Sequence, residues 1–225
     1  PEADLLWWVG CAPAYDPRAQ EVAKAFAKVM NAAGVNYAVL GDSERCTGDS
    51  ARRAGNEFLF QMQALNNVTV LNGYGVRRIV TACPHCFNTL KNEYPALGGT
   101  YEVMHHTQFI NTLLKEGRIK VEGGNFKGKR ITFHDPCYLG RGNGEYEAPR
   151  EVLLKLDAAL VEMKRSRANG LCCGAGGGQM FKEAEPGTRE VNVERSEEAL
   201  GTAPNVIAAG CPFCNTMLTD GIKNK

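Results

Sequence analysis

The chain has 225 residues, of which 44% are hydrophobic, and its formal net charge is +1. This composition can bury the core of one or two domains, and the near-neutral charge offers no basic surface for nucleic acid. No apolar run approaches the length of a membrane span. We therefore expect a chain that folds in water and whose partners are proteins or small molecules.

Short apolar strands alternate with amphipathic helices along the first half. In chain order the pattern predicts strand 5–9, helix 18–33, strand 37–40, helix 51–65, strand 77–82, a helix from 84, strand 101–104 and helix 107–115. Thr107 is the expected cap of the last helix. The stretch 122–129 carries three glycines and no periodicity, so it is the predicted boundary between domains 1–124 and 125–225.

The same alternation begins again after that boundary. It predicts strand 130–133, helix 149–156, strand 160–163, a glycine-rich segment at 174–178, helix 191–200, strand 206–209 and helix 212–222. Strands that alternate with helices are typical of parallel βαβ units. The expected fold is α/β, with two pseudo-repeated βαβ-type domains and mostly parallel sheets.

All nine cysteines fit one spacing that occurs twice. In each half a cysteine is followed, after 34 intervening residues, by Cys-X-Gly, and the half ends in Cys-Pro-X-Cys. The first set is Cys11, Cys46, Cys83 and Cys86, and the second is Cys137, Cys172, Cys173, Cys211 and Cys214. An odd cysteine count in a chain of this size argues against a disulfide framework and for a ligand role in a reducing compartment.

Thiolates are soft ligands that select zinc, copper(I) or iron–sulfur clusters. Each set follows the ends of predicted strands, where parallel strands bring their carboxyl ends together. Gly174 and Gly176 would let backbone N–H groups approach the sulfur atoms, as in an anion-binding nest. His134 lies just before Cys137 and is a candidate for hydrogen bonding or proton delivery, and His85, inside the Cys83–Cys86 motif, could tune a bound cluster.

Two other interpretations remain open from the residues alone. A zinc-binding structural protein would use the two CxxC pairs, although ribbon-type zinc sites place their pairs closer together. A metal-free thiol–disulfide oxidoreductase would use the CPHC motif of Cys83–Cys86, which follows a strand and opens a helix. That mechanism leaves the other cysteines without a role.

The second set resembles the cysteine-rich CCG domain. The matching segments are HDPCYLGR at 134–141, LCCGAGGGQM at 171–180 and AAGCPFC at 208–214. Such domains occur in heterodisulfide reductase catalytic subunits and in iron–sulfur oxidoreductases associated with electron-transfer flavoproteins. The resemblance implies that the five cysteines of the second set hold a non-cubane or [4Fe–4S] cluster and, with His134, carry the chemistry. The resemblance covers nearly the whole chain as two tandem CCG domains. The first half departs from the family because Thr47 replaces the second adjacent cysteine, which leaves four ligands for a [4Fe–4S]-type or variant cluster.

The resemblance further implies an oxidoreductase subunit that needs partner subunits. The chain has no ferredoxin-type C-x2-C-x2-C run, so electrons would come from a ferredoxin-like or flavoprotein partner, itself able to associate with a membrane. The acceptor would be a disulfide, a quinone-linked carrier or another small molecule. We expect a cytoplasmic protein that reaches the inner face of the membrane only through a partner.

Overall fold

The computed structural model describes residues 3–183 and 186–224. The chain divides into two compact units, one that ends at Ile119 and one that begins at Lys120. The glycine-containing stretch in which the sequence predicted a boundary follows shortly after this division.

A sheet of four parallel strands forms the centre of the first unit. The strands are β1 (Leu5–Trp8), β2 (Tyr37–Ala38), β3 (Arg78–Thr81) and β4 (Glu102–His105), in the order β2-β1-β3-β4. The α/β fold predicted from the alternation of strands and helices is confirmed. Because all four strands are parallel, their carboxyl ends lie at one edge of the sheet.

The helices of the first unit connect these strands. They are α1 (Cys11–Tyr15), α2 (Pro17–Ala32), α3 (Asp49–Arg53), α4 (Glu57–Gly73), α5 (Pro84–Asn88) and α6 (His106–Lys115). On one face of the sheet, Trp7 packs against Phe26 of α2 and Phe109 of α6 in a buried apolar cluster. Alternate strand residues point to opposite faces, and Trp8 is nevertheless fully buried, so the core occupies both faces.

Two local predictions in this unit are corrected by the structure. The helix expected at 51–65 is broken into α3 and α4 at Gly55, whose φ of 88° ends the first piece. The Asn56 side chain then caps α4 by accepting a hydrogen bond from the Leu59 N–H at 3.0 Å. The helix α6 begins at His106 with His105 as its cap, and Thr107 instead bonds the His105 ring at 2.7 Å.

The second unit repeats the arrangement with three parallel strands, β5 (Arg130–His134), β6 (Ala159–Leu160) and β7 (Val206–Ala209), in the order β6-β5-β7. Its helices are α7 (Glu147–Leu154), α8 (Val191–Leu200) and α9 (Pro212–Lys223). Helix α7 begins slightly earlier than predicted. Strand β6 has two residues and ends at Leu160, so most of the strand predicted at 160–163 is not formed. The first strand of each unit, β1 or β5, lies between two neighbours in its sheet.

This topology fixes where the cysteines lie. Cys11 and Cys137 follow the ends of β1 and β5, while Cys83 and Cys211 follow the ends of β3 and β7. Each pair of strands is adjacent in its sheet, so the motifs that follow them meet at the carboxyl edge. No helix within the described ranges is both long enough and apolar enough to cross a bilayer.

Candidate metal centres

The four thiols of the first unit form one interacting group, which we call the first centre. Cys11 donates a hydrogen bond to Cys46, which raises the pKa of Cys11 far above its usual range and lowers the pKa of Cys46 to about 6. A hydrogen bond to Cys83 raises the pKa of Cys86, and burial and the nearby Cys11 and Cys46 raise it further. Cys83 and Cys86 are buried, whereas Cys11 and Cys46 are half-buried. The first centre therefore has a buried side and a side near the surface.

The five thiols of the second unit form the second centre in the same way. Cys137 and Cys173 both donate hydrogen bonds to Cys172, and these bonds lower the pKa of Cys172 strongly. The same bonds raise the pKa of Cys137 well above its usual range and the pKa of Cys173 to about 12. Cys214 lies 3.2 Å from Cys173, and its pKa is raised chiefly by this contact and by its bond to Cys211. Here again the Cys-Pro-X-Cys pair is buried and the other side of the group is half-buried.

Thr47 occupies the place of the missing fifth thiol in the first centre. Its hydroxyl lies 3.9 Å from the Cys86 sulfur, just as Cys173 lies 3.2 Å from the sulfur of Cys214. Thr47 and Cys173 are both buried and hold the same position in the repeat. A hydroxyl is a hard, neutral group beside soft thiols, so the two centres differ in one side chain rather than in architecture.

A glycine in each unit directs a backbone N–H at the sulfur of lowest pKa. The Gly48 N–H lies 3.5 Å from Cys46, and the Gly174 N–H lies 3.3 Å from Cys172. Both glycines have positive φ, 88° and 91°, which other residues adopt only under strain. A Cβ on Gly48 would also lie 2.9 Å from the Phe60 ring. The Cys-X-Gly pattern is thus a means of stabilising one thiolate per centre.

The glycine-rich segment after Cys173 supplies further donors to the second centre. The N–H groups of Gly174 and Gly176 lower the pKa of Cys172, and the N–H of Ala175 lowers that of Cys173. Gly174 and Gly176 thus both direct backbone N–H groups at Cys172, where the sequence predicts an anion-binding nest. Such donors stabilise any negatively charged group bound between the thiols.

Two carboxylates outside the cysteine pattern, Glu44 and Asp49, flank the first centre. Glu44 accepts hydrogen bonds from the backbone N–H groups of Val9 and Gly10, at 3.0 and 2.6 Å, and so fixes the turn that leads into Cys11. Asp49 bonds the ring of His85 at 2.8 Å, and both side chains are buried. Glu44 lies two residues before Cys46 and belongs to no recognisable sequence motif. Its role at the turn could therefore be recognised only from the structure.

His85 lies one residue from Cys86 and is held by Asp49 rather than exposed to solvent. Asp49 is bonded in turn by Arg53 at 3.1 Å, and Arg53 also pairs with Glu93. Bonds to His85 and Arg53 keep the pKa of Asp49 below its usual range despite its burial. The structure thus places His85 in a charged network beside the first centre.

His134 lies at the second centre, at the end of β5. One of its ring nitrogens and the sulfurs of Cys173 and Cys214 all lie within 4.8 Å of one another. Burial is the main cause that lowers the pKa of His134 to about 4. Its Nδ1 accepts a hydrogen bond from Arg195 at 3.0 Å. Arg195 was missed because an arginine on an amphipathic helix normally indicates a solvated face.

A second buried ion pair supports the loop that carries Cys137. Arg150 bonds both carboxylate oxygens of Asp135, at 2.7 and 2.9 Å, and also Glu162. Asp135 further accepts the Arg167 backbone N–H at 2.7 Å. These bonds tie helix α7 and the segment before the Cys172 motif to the end of β5.

The donor set of both centres fits an iron–sulfur cluster. Clustered thiols raise one another's pKa because several negative sulfurs repel, and bound iron would relieve that repulsion. At the second centre, the Nη2 atom of Arg195 is buried and has no hydrogen-bond partner among the described residues. Arg195 also bonds His134, which lies beside Cys173 and Cys214, so a buried positive charge is linked to this centre through one side chain and suits an anionic group there.

Each unit is an α/β fold with a parallel sheet, and its cysteines gather at the carboxyl edge of that sheet. Two such units define a protein built from a duplicated cysteine-rich domain. The family comparison agrees: the chain belongs to the CCG family of cysteine-rich domains, whose model matches residues 5–91 and 131–219. The predicted resemblance to two tandem CCG domains is confirmed, and the first half matches in spite of Thr47.

The chain is similar over its whole length to curated oxidoreductases. It is 49% identical over 225 residues to a probable iron-sulfur-binding oxidoreductase, FadF, of Bacillus subtilis, covering 100% of this chain and 32% of that protein. It is 42% identical to the EtfAB:quinone oxidoreductase of Syntrophomonas wolfei, with coverage of 99% and 32%. It is 37% identical to a chain of the dihydromethanophenazine:CoB–CoM heterodisulfide reductase of Methanosarcina barkeri, with coverage of 98% and 54%. The chain thus spans about a third of the first two relatives and about half of the third.

Proposed function

We propose that this chain is the iron–sulfur electron-transfer part of an oxidoreductase, with one cluster in each unit. The observation that carries the proposal is the gathering of all nine cysteines into two groups of interacting thiols at equivalent places in a repeated fold. Cys137, Cys172, Cys173, Cys211 and Cys214 would hold a [4Fe–4S] or non-cubane cluster, and Cys11, Cys46, Cys83 and Cys86 a four-thiolate cluster. The names of the relatives support an iron–sulfur oxidoreductase.

Bound clusters would supply the capacity to take up and release single electrons. The chain itself provides the thiolate ligands, and the N–H groups around Gly174 and Gly176 offset the negative charge that collects on sulfur. The buried Cys-Pro-X-Cys side keeps water away from each centre. The half-buried side, near Cys11 and Cys46 or near Cys137 and Cys172, is where an electron partner or an acceptor can approach.

The burial of Cys83 and Cys86 argues against the thiol–disulfide alternative. A thiol that exchanges with protein disulfides must be reachable by its substrate, yet these two side chains are only 4% and 6% exposed. The same thiols lie beside Cys11 and Cys46, as a shared cluster would require. A redox role through bound iron therefore accounts for more of the structure.

We assign the substrate-reducing chemistry to the second centre, because it has the complete five-cysteine motif and His134 within reach of two sulfurs. Electrons would arrive from a ferredoxin-like or flavoprotein partner. They would pass to a disulfide, a quinone-linked carrier or another small acceptor. One relative is named an EtfAB:quinone oxidoreductase and another a probable membrane-anchored ferredoxin, which supports a cytoplasmic protein held near a membrane by other parts of its complex.

Metal and sulfide analysis tests the proposal directly. The chain is purified without oxygen, and iron, zinc and acid-labile sulfide are measured on the same sample. We expect iron and sulfide in similar amounts, with electron paramagnetic resonance (EPR) signals on reduction. Zinc without sulfide would support the structural zinc alternative, and a protein without metal would support thiol exchange; either result rejects the proposal.

Reciprocal substitutions test the assignment of ligands. Cys173→Ser should alter the EPR signal of the second centre and leave that of the first, since only the second contains Cys173. Thr47→Cys should give the first centre spectral features of the second, because the Thr47 hydroxyl lies 3.9 Å from the Cys86 sulfur. Thr47→Ser, which keeps the hydroxyl, is the matched control and should change nothing. If Cys173→Ser and Thr47→Cys both gave the spectrum of the parent protein, the five-ligand assignment would be rejected.

A further inference from the structure

A buried arginine outside the cysteine motif contacts the second centre through His134. Arg195, on helix α8, is 0% exposed, and its Nε donates to His134 Nδ1 at 3.0 Å. Its Nη1 donates to the Arg165 carbonyl at 2.8 Å and to Glu198 at 2.9 Å. Burial of a guanidinium costs folding free energy unless its charge is compensated and its N–H groups are hydrogen-bonded.

The bond from Arg195 determines which nitrogen of His134 carries the proton. A guanidinium has only donors, so Nδ1 of His134 must accept. The proton of the neutral ring is then on Nε2. One nitrogen is occupied by Arg195 and the other is protonated, so neither offers a lone pair to a metal. His134 is close enough to Cys173 and Cys214 to be mistaken for an iron ligand, but in this arrangement it can only be a hydrogen-bond donor.

At the position equivalent to His134, the first centre has a tryptophan instead of a histidine. Trp8 precedes Cys11 by three residues, as His134 precedes Cys137, and it ends β1 as His134 ends β5. Its ring is uncharged, and its Nε1 has no hydrogen-bond partner within the described part of the chain. The effect of Arg195 through His134 should therefore be confined to the second centre.

We propose that Arg195 positions His134 as an N–H donor to the second centre, and that the pair favours the reduced, more negative state of a cluster bound there. The inference rests on the proposed function. Hydrogen bonds to cluster sulfur and nearby positive charge both stabilise an added electron and so raise the reduction potential. Arg195 is a positioning residue: it acts on the centre through His134 and through its buried charge.

Redox titration under anaerobic conditions, followed by EPR, tests the effect with the first centre as an internal reference. Arg195→Met should shift the midpoint potential of the second centre downward and leave the first unchanged. Arg195→Lys, which keeps the charge but not the planar donor, should restore part of the shift. Arg165→Met is the matched control, because Arg165 bonds the same Glu198 at 2.9 Å but lies 39% exposed; it should titrate like the parent protein.

Substitutions at His134 test the same bond from its other end, should Arg195→Met fail to fold. His134→Phe should lower the potential of the second centre, and His134→Gln, whose amide can replace the Nε2 donor, should recover most of it. If Arg195 acts through His134, the double variant Arg195→Lys/His134→Phe should shift no further than His134→Phe. Equal potentials in the parent, His134→Phe and Arg195→Lys proteins would overturn the inference.

A measurement that needs no cluster separates this inference from the proposed function. In the metal-free protein, nitrogen NMR of labelled histidine should show His134 protonated on Nε2 and unprotonated on Nδ1. The opposite tautomer would refute the role of Arg195 even if the protein binds iron and sulfide. Absence of iron and sulfide from the anaerobically purified protein would instead reject the proposed function, and this inference with it.

Discussion

Replacement of Gly48 by alanine should destabilise the first unit more than the same replacement at Gly55. Both glycines have φ of 88°, so each change forces a side chain into the left-handed region at a cost of about 1–2 kcal/mol. Around Gly55 a new Cβ meets no atom within 4 Å, whereas at Gly48 it would lie 2.9 Å from the Phe60 ring and 3.2 Å from the Phe60 backbone. Such overpacking adds roughly 1–3 kcal/mol. We therefore expect a loss of about 1–2 kcal/mol for Gly55→Ala and about 2–5 kcal/mol for Gly48→Ala.

Tryptophan fluorescence isolates this effect, because the chain has 2 tryptophans and both, Trp7 and Trp8, are buried in the first unit. Urea unfolding followed by fluorescence therefore reports on that unit alone, provided that all variants carry the same metal load. Gly174→Ala, in the second unit, serves as the control and should leave the fluorescence transition in place. Equal losses for Gly48→Ala and Gly55→Ala would show that Phe60 yields freely and would refute the packing argument.

Arg150→Met should cost about 3–5 kcal/mol in the second unit, because it leaves buried Asp135 without its bidentate partner. Arg165→Met, at an exposed pair, should cost less than about 1 kcal/mol. Both losses are measured by urea unfolding followed by far-UV circular dichroism, since the tryptophans report only on the first unit. Burial lowers the pKa of His106 to about 4, whereas an unfolded histidine titrates near about 6.5. The unfolded chain thus takes up this proton first, and stability that is present above about pH 6.5 is lost as the pH falls towards about 4. His106→Gln should flatten that part of the profile; an unchanged slope would assign it to other groups.

The sequence predicted the parallel α/β fold and the convergence of the cysteines because both depend on local patterns. Cys11 and Cys83 each follow an apolar strand. When two such strands are adjacent and parallel, their carboxyl ends lie side by side, and so do the residues that follow them. The break at Gly55 was missed because a single glycine in an apolar periodic stretch costs a helix only about 1 kcal/mol. The Gly-Asn pair at 55–56 was a detectable signal, since glycine ends one helix and asparagine caps the next.

The surroundings of the centres could not be predicted in the same way. Glu44 reaches the turn before Cys11, and Arg195 reaches His134 across 61 residues of chain. Such contacts depend on how helices pack on the sheet, and the same residue types on a helix or loop usually indicate a solvated surface. Their roles became visible only when burial and hydrogen-bond partners were known.

The amide groups of Gly48 and Gly174 have a consequence for the protons that metal binding would release. Each centre contains one sulfur, Cys46 or Cys172, that is already disposed to be an anion. These two sulfurs would hold iron without releasing a proton, while the remaining thiols would each have to lose one. We therefore expect cluster binding to release protons from the other cysteines and to be favoured as the pH rises.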